Sequence, residues 1–203
     1  MHKREHWENV YLTKGRDEMS WSRERLDTSL EMISKTGIAN DAAVIDIGGG
    51  NSTLVDDLIG LGFDDLTVLD ISKTAIQTSR ERLGTAATKV EWIEADVTDV
   101  EFPADRFDLW HDRAVFHFLT DSEDRRKYIE LVRRSMKPDG NVIIASFSLD
   151  GPMKCSGLDV VRYSSHSMLA EFEGFRLIDS VRETHKTPFG TNQDFVYSHL
   201  RKA

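Results

Sequence analysis

The sequence predicts an α/β protein: a three-layer sandwich on a seven-stranded, mostly parallel sheet that ends in an antiparallel C-terminal hairpin and starts with an N-terminal helical cap. Three observations carry this reading. Apolar, strand-like runs recur at 42–47, 66–70, 89–95, 107–111 and 141–147, separated by helical stretches at 52–61, 72–84 and 121–136; that alternation is expected of parallel strands wrapped by helices. The tail holds two β-rich runs, 175–184 and 193–200, joined by a loop containing Pro188 and Gly190. No crossover helix fits between them, so this pair is antiparallel. Finally, a chain of 203 residues, 39% hydrophobic, is long enough for one such domain and too short for two ordinary ones.

The elements follow in order. Residues 20–36 carry Leu26, Leu30 and Ile33 at helical spacing with Gly37 as a stop, so a helix closes a cap of residues 1–41 ahead of a core of 42–203. The first strand runs into Asp46, breaks at Gly48-Gly49-Gly50 and leaves through Asn51 and Ser52 into a helix. Lys137-Pro138-Asp139-Gly140 reads as a turn that launches the fifth strand, and a helix at 165–173 precedes the tail.

Charge narrows the function classes. A net charge of -9 with a pI near 5.3, its acids and bases interspersed, argues against a grip on nucleic acid or an anionic membrane. The first residues are polar with no apolar segment after them, and no stretch approaches the about 18 apolar residues of a membrane span. The expectation is a cytoplasmic protein, monomeric by default, whose partner is a small molecule. The single cysteine, Cys155, excludes an internal disulfide and a multi-cysteine zinc site, so no metal is expected.

In an open parallel sheet, ligands sit beyond the carboxyl ends of the strands. There the sequence places Asp46 with Gly48, Gly49 and Gly50, then Asp70, then Asp96, then His111-Asp112-Arg113, and Ser148 to Gly151 after the fifth strand. The glycines let a ligand approach the backbone closely. Asp70 stands about where the first βαβ unit delivers a carboxylate to a ribose diol. A dinucleotide loop would carry glycine or alanine where Thr53 stands, and Asp46 inside the strand suits an ammonium better than a diphosphate. Each residue also has a structural reading. Asp70 can cap the following helix, Asp112 and Arg113 can form an ion pair, and His111, His117 and Cys155 can simply be buried. Trp7 and Trp21 can be core aromatics or a lid.

The run Asp46-Ile47-Gly48-Gly49-Gly50-Asn51-Ser52 resembles the D-x-G-x-G-x-G/S motif of class I S-adenosyl-L-methionine (SAM)-dependent methyltransferases. That resemblance implies a Rossmann-like fold with SAM as cofactor and S-adenosyl-L-homocysteine as product. It implies a glycine loop facing the methionine moiety and Asp70 with Ile71 at the ribose. Asp96 and the Val97 backbone fall at the adenine, with Trp21 and His111 also on the cofactor side. Further motifs, D-R-A at 112–114, D-R-R-K-Y at 124–128, P-M-K-C-S-G at 152–157, E-T-H-K-T-P-F-G at 183–190 and W-E-N-V-Y at 7–11, are similar to those of thiopurine S-methyltransferases and related thiol or metalloid methyltransferases. They imply a small soft acceptor, with Arg113 stabilising a thiolate and Asp112 and His117 available as proton acceptors. Two alternatives stay open: a protein lysine acceptor, and a nucleoside-binding module with degraded catalysis. The N/D-P-P-Y/F motif of base-methylating enzymes is absent after the fourth strand.

Overall fold

The computed structural model describes residues 3–15 and 18–203. Helix α1 (Lys3–Thr13) and α2 (Asp27–Thr36) precede an alternation of β1 (Ala43–Ile47), α3 (Leu54–Gly60), β2 (Asp65–Asp70), α4 (Lys73–Leu83), β3 (Val90–Glu94) and β4 (Phe107–Arg113). Then come α5 (Ser122–Ser135), β5 (Met136–Phe147), a short pair β6 (Lys154–Cys155) and β7 (Leu158–Asp159), α6 (Ser165–Glu171), β8 (Phe175–Lys186) and β9 (Asn192–Lys202). The seven-stranded sheet has the order β3-β2-β1-β4-β5-β9-β8. Its first five strands are parallel, β9 runs antiparallel to β5, and β8 pairs antiparallel with β9. The expected architecture is the observed one.

Both faces of the sheet are covered, which is why its central strands read as continuous apolar runs. Alternation along β1 sends Ala43, Ile45 and Ile47 into one core with Trp110, Tyr128 and Phe172, and Val44 into the other with Leu30, Leu54 and Tyr197. The same alternation along β4 puts His111 on the opposite face from Trp110 and Asp112. Among the described residues no helix is long and apolar enough to cross a membrane, and no cluster of three or more His, Cys, Asp or Glu could hold a metal ion.

Two local expectations are corrected. The helix expected from residue 20 begins at Asp27. Ahead of it, the Ser20 carbonyl accepts from His185 Nε2 (2.7 Å) and the Trp21 carbonyl from Arg113 Nη1 (3.1 Å), so tertiary partners take the groups a helical turn would use. The fifth strand starts at Met136 rather than 141. Residues 137–140 form an irregularity within it: Asp139 has φ 59°, and pairing with β4 jumps from Phe107–Met136 to Leu109–Asn141. Pro138 has no N–H to give to the ladder, which is consistent with that break.

Candidate active site

The glycine loop lies where β1 gives way to α3, and its three glycines answer to different neighbours. Gly48 adopts φ +68°, donates its N–H to the Leu69 carbonyl (2.7 Å), and a Cβ there would lie 2.2 Å from Val115 Cγ2. A Cβ on Gly49 would lie 2.2 Å from Asp46 Oδ2, and one on Gly50 would lie 2.6 Å from Asp70 Oδ2. Bare backbone is therefore required against each of the two acids. Gly50 N–H donates to Asp70 Oδ2 (3.0 Å) and Ser72 N–H to Asp70 Oδ1 (2.8 Å), so the carboxylate ties β2 to the loop.

Two cavities open here, with about 690 Å³ and 540 Å³ of space that merges with solvent. The larger is bounded by Trp7, Asp70, Ile71, Val97, Phe147 and Phe195 among others; the smaller by Asp46, Gly49, Asn51, Ser52 and His111. Tyr11, Trp21, Gly48 and Arg113 wall both. One elongated cleft thus has Asp70 in one half and Asp46 in the other. Asp46 is 4% exposed; its Oδ1 accepts from His111 Nδ1 (2.7 Å), while the buried Oδ2 has no hydrogen-bond partner. A lone buried carboxylate oxygen beside a bare glycine loop fits the ammonium end of an amino-acid moiety. Asp70, also 4% exposed, is pushed up to about 6 by burial, against the pull of the Ser72 and Gly50 amides. It fits hydroxyl donors such as those of a ribose. The cleft therefore passes the test for SAM.

Other expected cofactor residues are less direct. Gly50 packs beneath Asp70 and does not line either cavity. Asp96 lines neither; its Oδ1 accepts from the Thr98 amide and hydroxyl (2.9 and 2.8 Å), capping its own turn, while Ala95 and Val97 face the larger cavity.

The residues expected to do chemistry separate. Arg113 reaches the cleft, but its Nε donates to Tyr197 Oη (3.1 Å), its Nη1 to the Trp21 carbonyl (3.1 Å), and its guanidinium lies over the Phe195 ring at 4.7 Å. Asp112 points into the opposite core, away from both cavities. It accepts from Tyr128 Oη (2.6 Å) and from the Val115 and Phe116 amides (2.9 and 3.1 Å), and burial pushes it up to about 6. It anchors the turn after β4, in place of the proton-acceptor role expected of it. His117 is likewise off the cavity wall: fully buried, pushed down to about 3 by burial and then by Arg113, it accepts the Phe147 amide on Nδ1 (3.3 Å). An imidazole so placed is a neutral framework group.

Several contributors had no settled role in the sequence, and Glu8 and Ser29 had none at all. Tyr11 and Trp7, one helical turn apart on α1, meet Trp21 at ring-centroid distances of 6.3 and 5.7 Å and make an aromatic roof; their spacing within W-E-N-V-Y was the available signal. Glu8 docks α1 on the start of α4, accepting from the Ser72 hydroxyl (2.7 Å), the Thr74 amide (3.3 Å) and the Thr74 hydroxyl. The Ser29 hydroxyl of α2 lies 3.0 Å from His111 Nε2, and no local pattern marks it. Cys155 lines the larger cavity as a thiol, raised to about 11 by burial despite the opposing effects of Ser156, Ser20 and Arg113.

A protein family described as a methyltransferase domain matches residues 44–140. Human EEF1A lysine methyltransferase 2 is 29% identical over an alignment of 206 residues, spanning 92% of this chain and 79% of that protein. The mouse eEF1A lysine and N-terminal methyltransferase is 30% identical over 121 residues, covering 59% of this chain and only 17% of that longer protein. Among solved structures, Burkholderia thailandensis 1,6-didemethyltoxoflavin-N1-methyltransferase, with bound 1,6-didemethyltoxoflavin and S-adenosylhomocysteine, superposes with a TM-score of 0.78 at 20% identity over 98% of this chain and 87% of that one, a likeness of fold. These relatives overturn the finer resemblance to thiopurine S-methyltransferases and, with it, the reading of a small thiol, sulfide or metalloid acceptor. The D-R-A and H-K motifs that suggested it have structural duties here: Asp112 anchors a turn, and His185 holds the Ser20 carbonyl. The chain is thus similar to a methyltransferase domain over residues 44–140, just under half of its length, and shares its fold with a solved methyltransferase.

Proposed function

We propose that this enzyme methylates lysine side chains of a protein. The observation that carries the reading is the similarity to a lysine methyltransferase through 92% of the chain. In the same proposal Asp46 takes the α-ammonium of the cofactor, Asp70 its ribose hydroxyls, and Ile71 and Val97 flank its base. When bound, SAM supplies a methyl group on a sulfonium, already activated for in-line displacement by a nucleophile. The protein's part is then to position the acceptor and exclude water.

The walls suit an amine. Trp7, Tyr11, Trp21, Phe118 and Phe147 line the larger cavity, an aromatic lining that accommodates an alkylammonium and its methylated forms. Attack requires the neutral amine. Arg113, at the junction of the two cavities, is paired with Glu183 (Nη2–Oε1 4.0 Å), so its charge is countered there. Cys155, at about 11, is a thiol at neutral pH and no base. Methyl-labelled SAM incubated with the enzyme and a cell extract tests the reading. Label in the protein fraction as methyl-lysine supports it; label confined to low-molecular-mass thiols contradicts it.

A further inference from the structure

His111 sits next to Asp46 across the β1–β4 pairing, and the two side chains leave the sheet on the same face. A carboxylate only accepts, so the 2.7 Å contact fixes the proton on His111 Nδ1, donated to Asp46 Oδ1. At the far side of the ring, Nε2 lies 3.0 Å from the Ser29 hydroxyl of α2. A hydroxyl can donate or accept, so Ser29 holds Nε2 in either role. All three residues are at most 4% exposed, so water does not compete. The chain of bonds runs from Ser29 Oγ to His111 Nε2, then from Nδ1–H to Asp46 Oδ1, and it leaves one carboxylate oxygen over. That oxygen, Oδ2, is the buried one without a hydrogen-bond partner, and it faces the place where a Gly49 Cβ would stand.

We infer that His111, held by Ser29, is a positioning residue for the cofactor: it locks the Asp46 carboxylate so that Oδ2 alone faces the cleft and receives the α-ammonium of SAM. A carboxylate free to rotate would exchange its two oxygens and lose direction; one pinned through Oδ1 is pre-organised, as a ligand-orienting partner does in other sites. The relay also links α2 to the methionine half of the cleft, although α2 lines neither cavity with Ser29. The inference rests on Asp46 taking the ammonium and is independent of the identity of the methyl acceptor.

Calorimetric titration of the intact protein tests it with two ligands: S-adenosylhomocysteine, which has the amino-acid moiety, and 5′-methylthioadenosine, which has only the adenosine half. His111→Leu is expected to weaken S-adenosylhomocysteine about tenfold or more, in the range for a hydrogen bond involving a charged group, and to leave 5′-methylthioadenosine unchanged. His111→Asn, whose side-chain N–H stands at the same bond separation from the backbone as Nδ1, should restore most of the loss. Ser29→Ala should show a smaller loss with the same selectivity. Equal loss for both ligands, or no rescue by His111→Asn, overturns the inference in favour of a packing role. Asp46→Asn separates the premise: if it leaves S-adenosylhomocysteine affinity unchanged, Asp46 does not hold the ammonium. If it weakens binding while His111→Leu and Ser29→Ala do not, the relay alone is wrong. Should His111→Leu fail to fold, the wild-type ring nitrogens decide by NMR. The Nδ1–H tautomer must be present in the free protein, and its signal must move with S-adenosylhomocysteine and stay still with 5′-methylthioadenosine.

Discussion

Asp70 is a carboxyl that the fold buries and that the proposed ribose contact needs ionised. Burial holds it at about 6, raised from 3.8. Hydroxyl donors favour the carboxylate, so SAM affinity should be steady at pH 7 to 8 and fall as pH drops through about 6, approaching tenfold per unit below it. Proton release on binding at pH 5.5, read by calorimetry in buffers of different ionisation heat, checks the sign. Affinity that stays flat down to pH 5 would remove Asp70 from the ribose contact. In the free protein the linkage runs the other way. A carboxyl raised on folding holds its proton more tightly when folded, so its contribution to stability falls as pH rises from about 4 to about 6. Asp46, Asp70 and the glycines were legible because a strand-loop-helix unit fixes them by local spacing. Ser29 was not: it meets His111 from 82 positions away, and nothing near it in sequence carries a signal.

Elements differ in what they do for the cleft, and two substitutions separate framework from roof. Tyr128 on α5 bonds both Trp110 Nε1 (2.8 Å) and Asp112 (2.6 Å) in a fully buried cluster. Tyr128→Phe should therefore lower stability by about 1–3 kcal/mol, the cost of leaving a buried polar group short of a partner, with SAM affinity unchanged. Denaturant midpoints and calorimetry read the two effects. A Tyr128→Phe variant of normal stability with weakened SAM binding would return Asp112 to the active site. Helix α1 carries the aromatic roof and meets α4 through Glu8. Glu8→Ala should raise amide exchange across residues 3–13 and weaken SAM several-fold, while the sheet's exchange stays as it was. Unaltered exchange in α1 would mean that the rings, not Glu8, hold the roof. Strands and helices were read well because buried parallel strands are unbroken apolar runs. The segment before α2 was misread because Leu26, Leu30 and Ile33 continue a helical stripe there. What holds residues ahead of Asp27 out of that helix is the contact of the Ser20 and Trp21 carbonyls with His185 and Arg113, far along the chain.

At the scale of the whole molecule, the sheet order and the reversed final hairpin were visible as patterns, and so were Asp46 and Asp70, the strand-end acids that line the cleft. The acceptor was not. Its specificity depends on which loops and terminal segments wall the junction of two cavities, and motifs such as D-R-A look alike whether they bind a substrate or brace a turn. Arg113 illustrates this: read from sequence, its charge suited a thiolate, whereas in the fold it is braced by Tyr197 and Trp21 beside aromatic walls. The most direct test of the proposed lysine acceptor is to incubate the purified enzyme with methyl-labelled SAM and a protein extract, then map the label by proteolysis and mass spectrometry. Methyl groups on a lysine side chain, absent when the enzyme is omitted, are the predicted result. Label on a cysteine or only on added small thiols, or methylation confined to the N-terminal amine, would contradict the account.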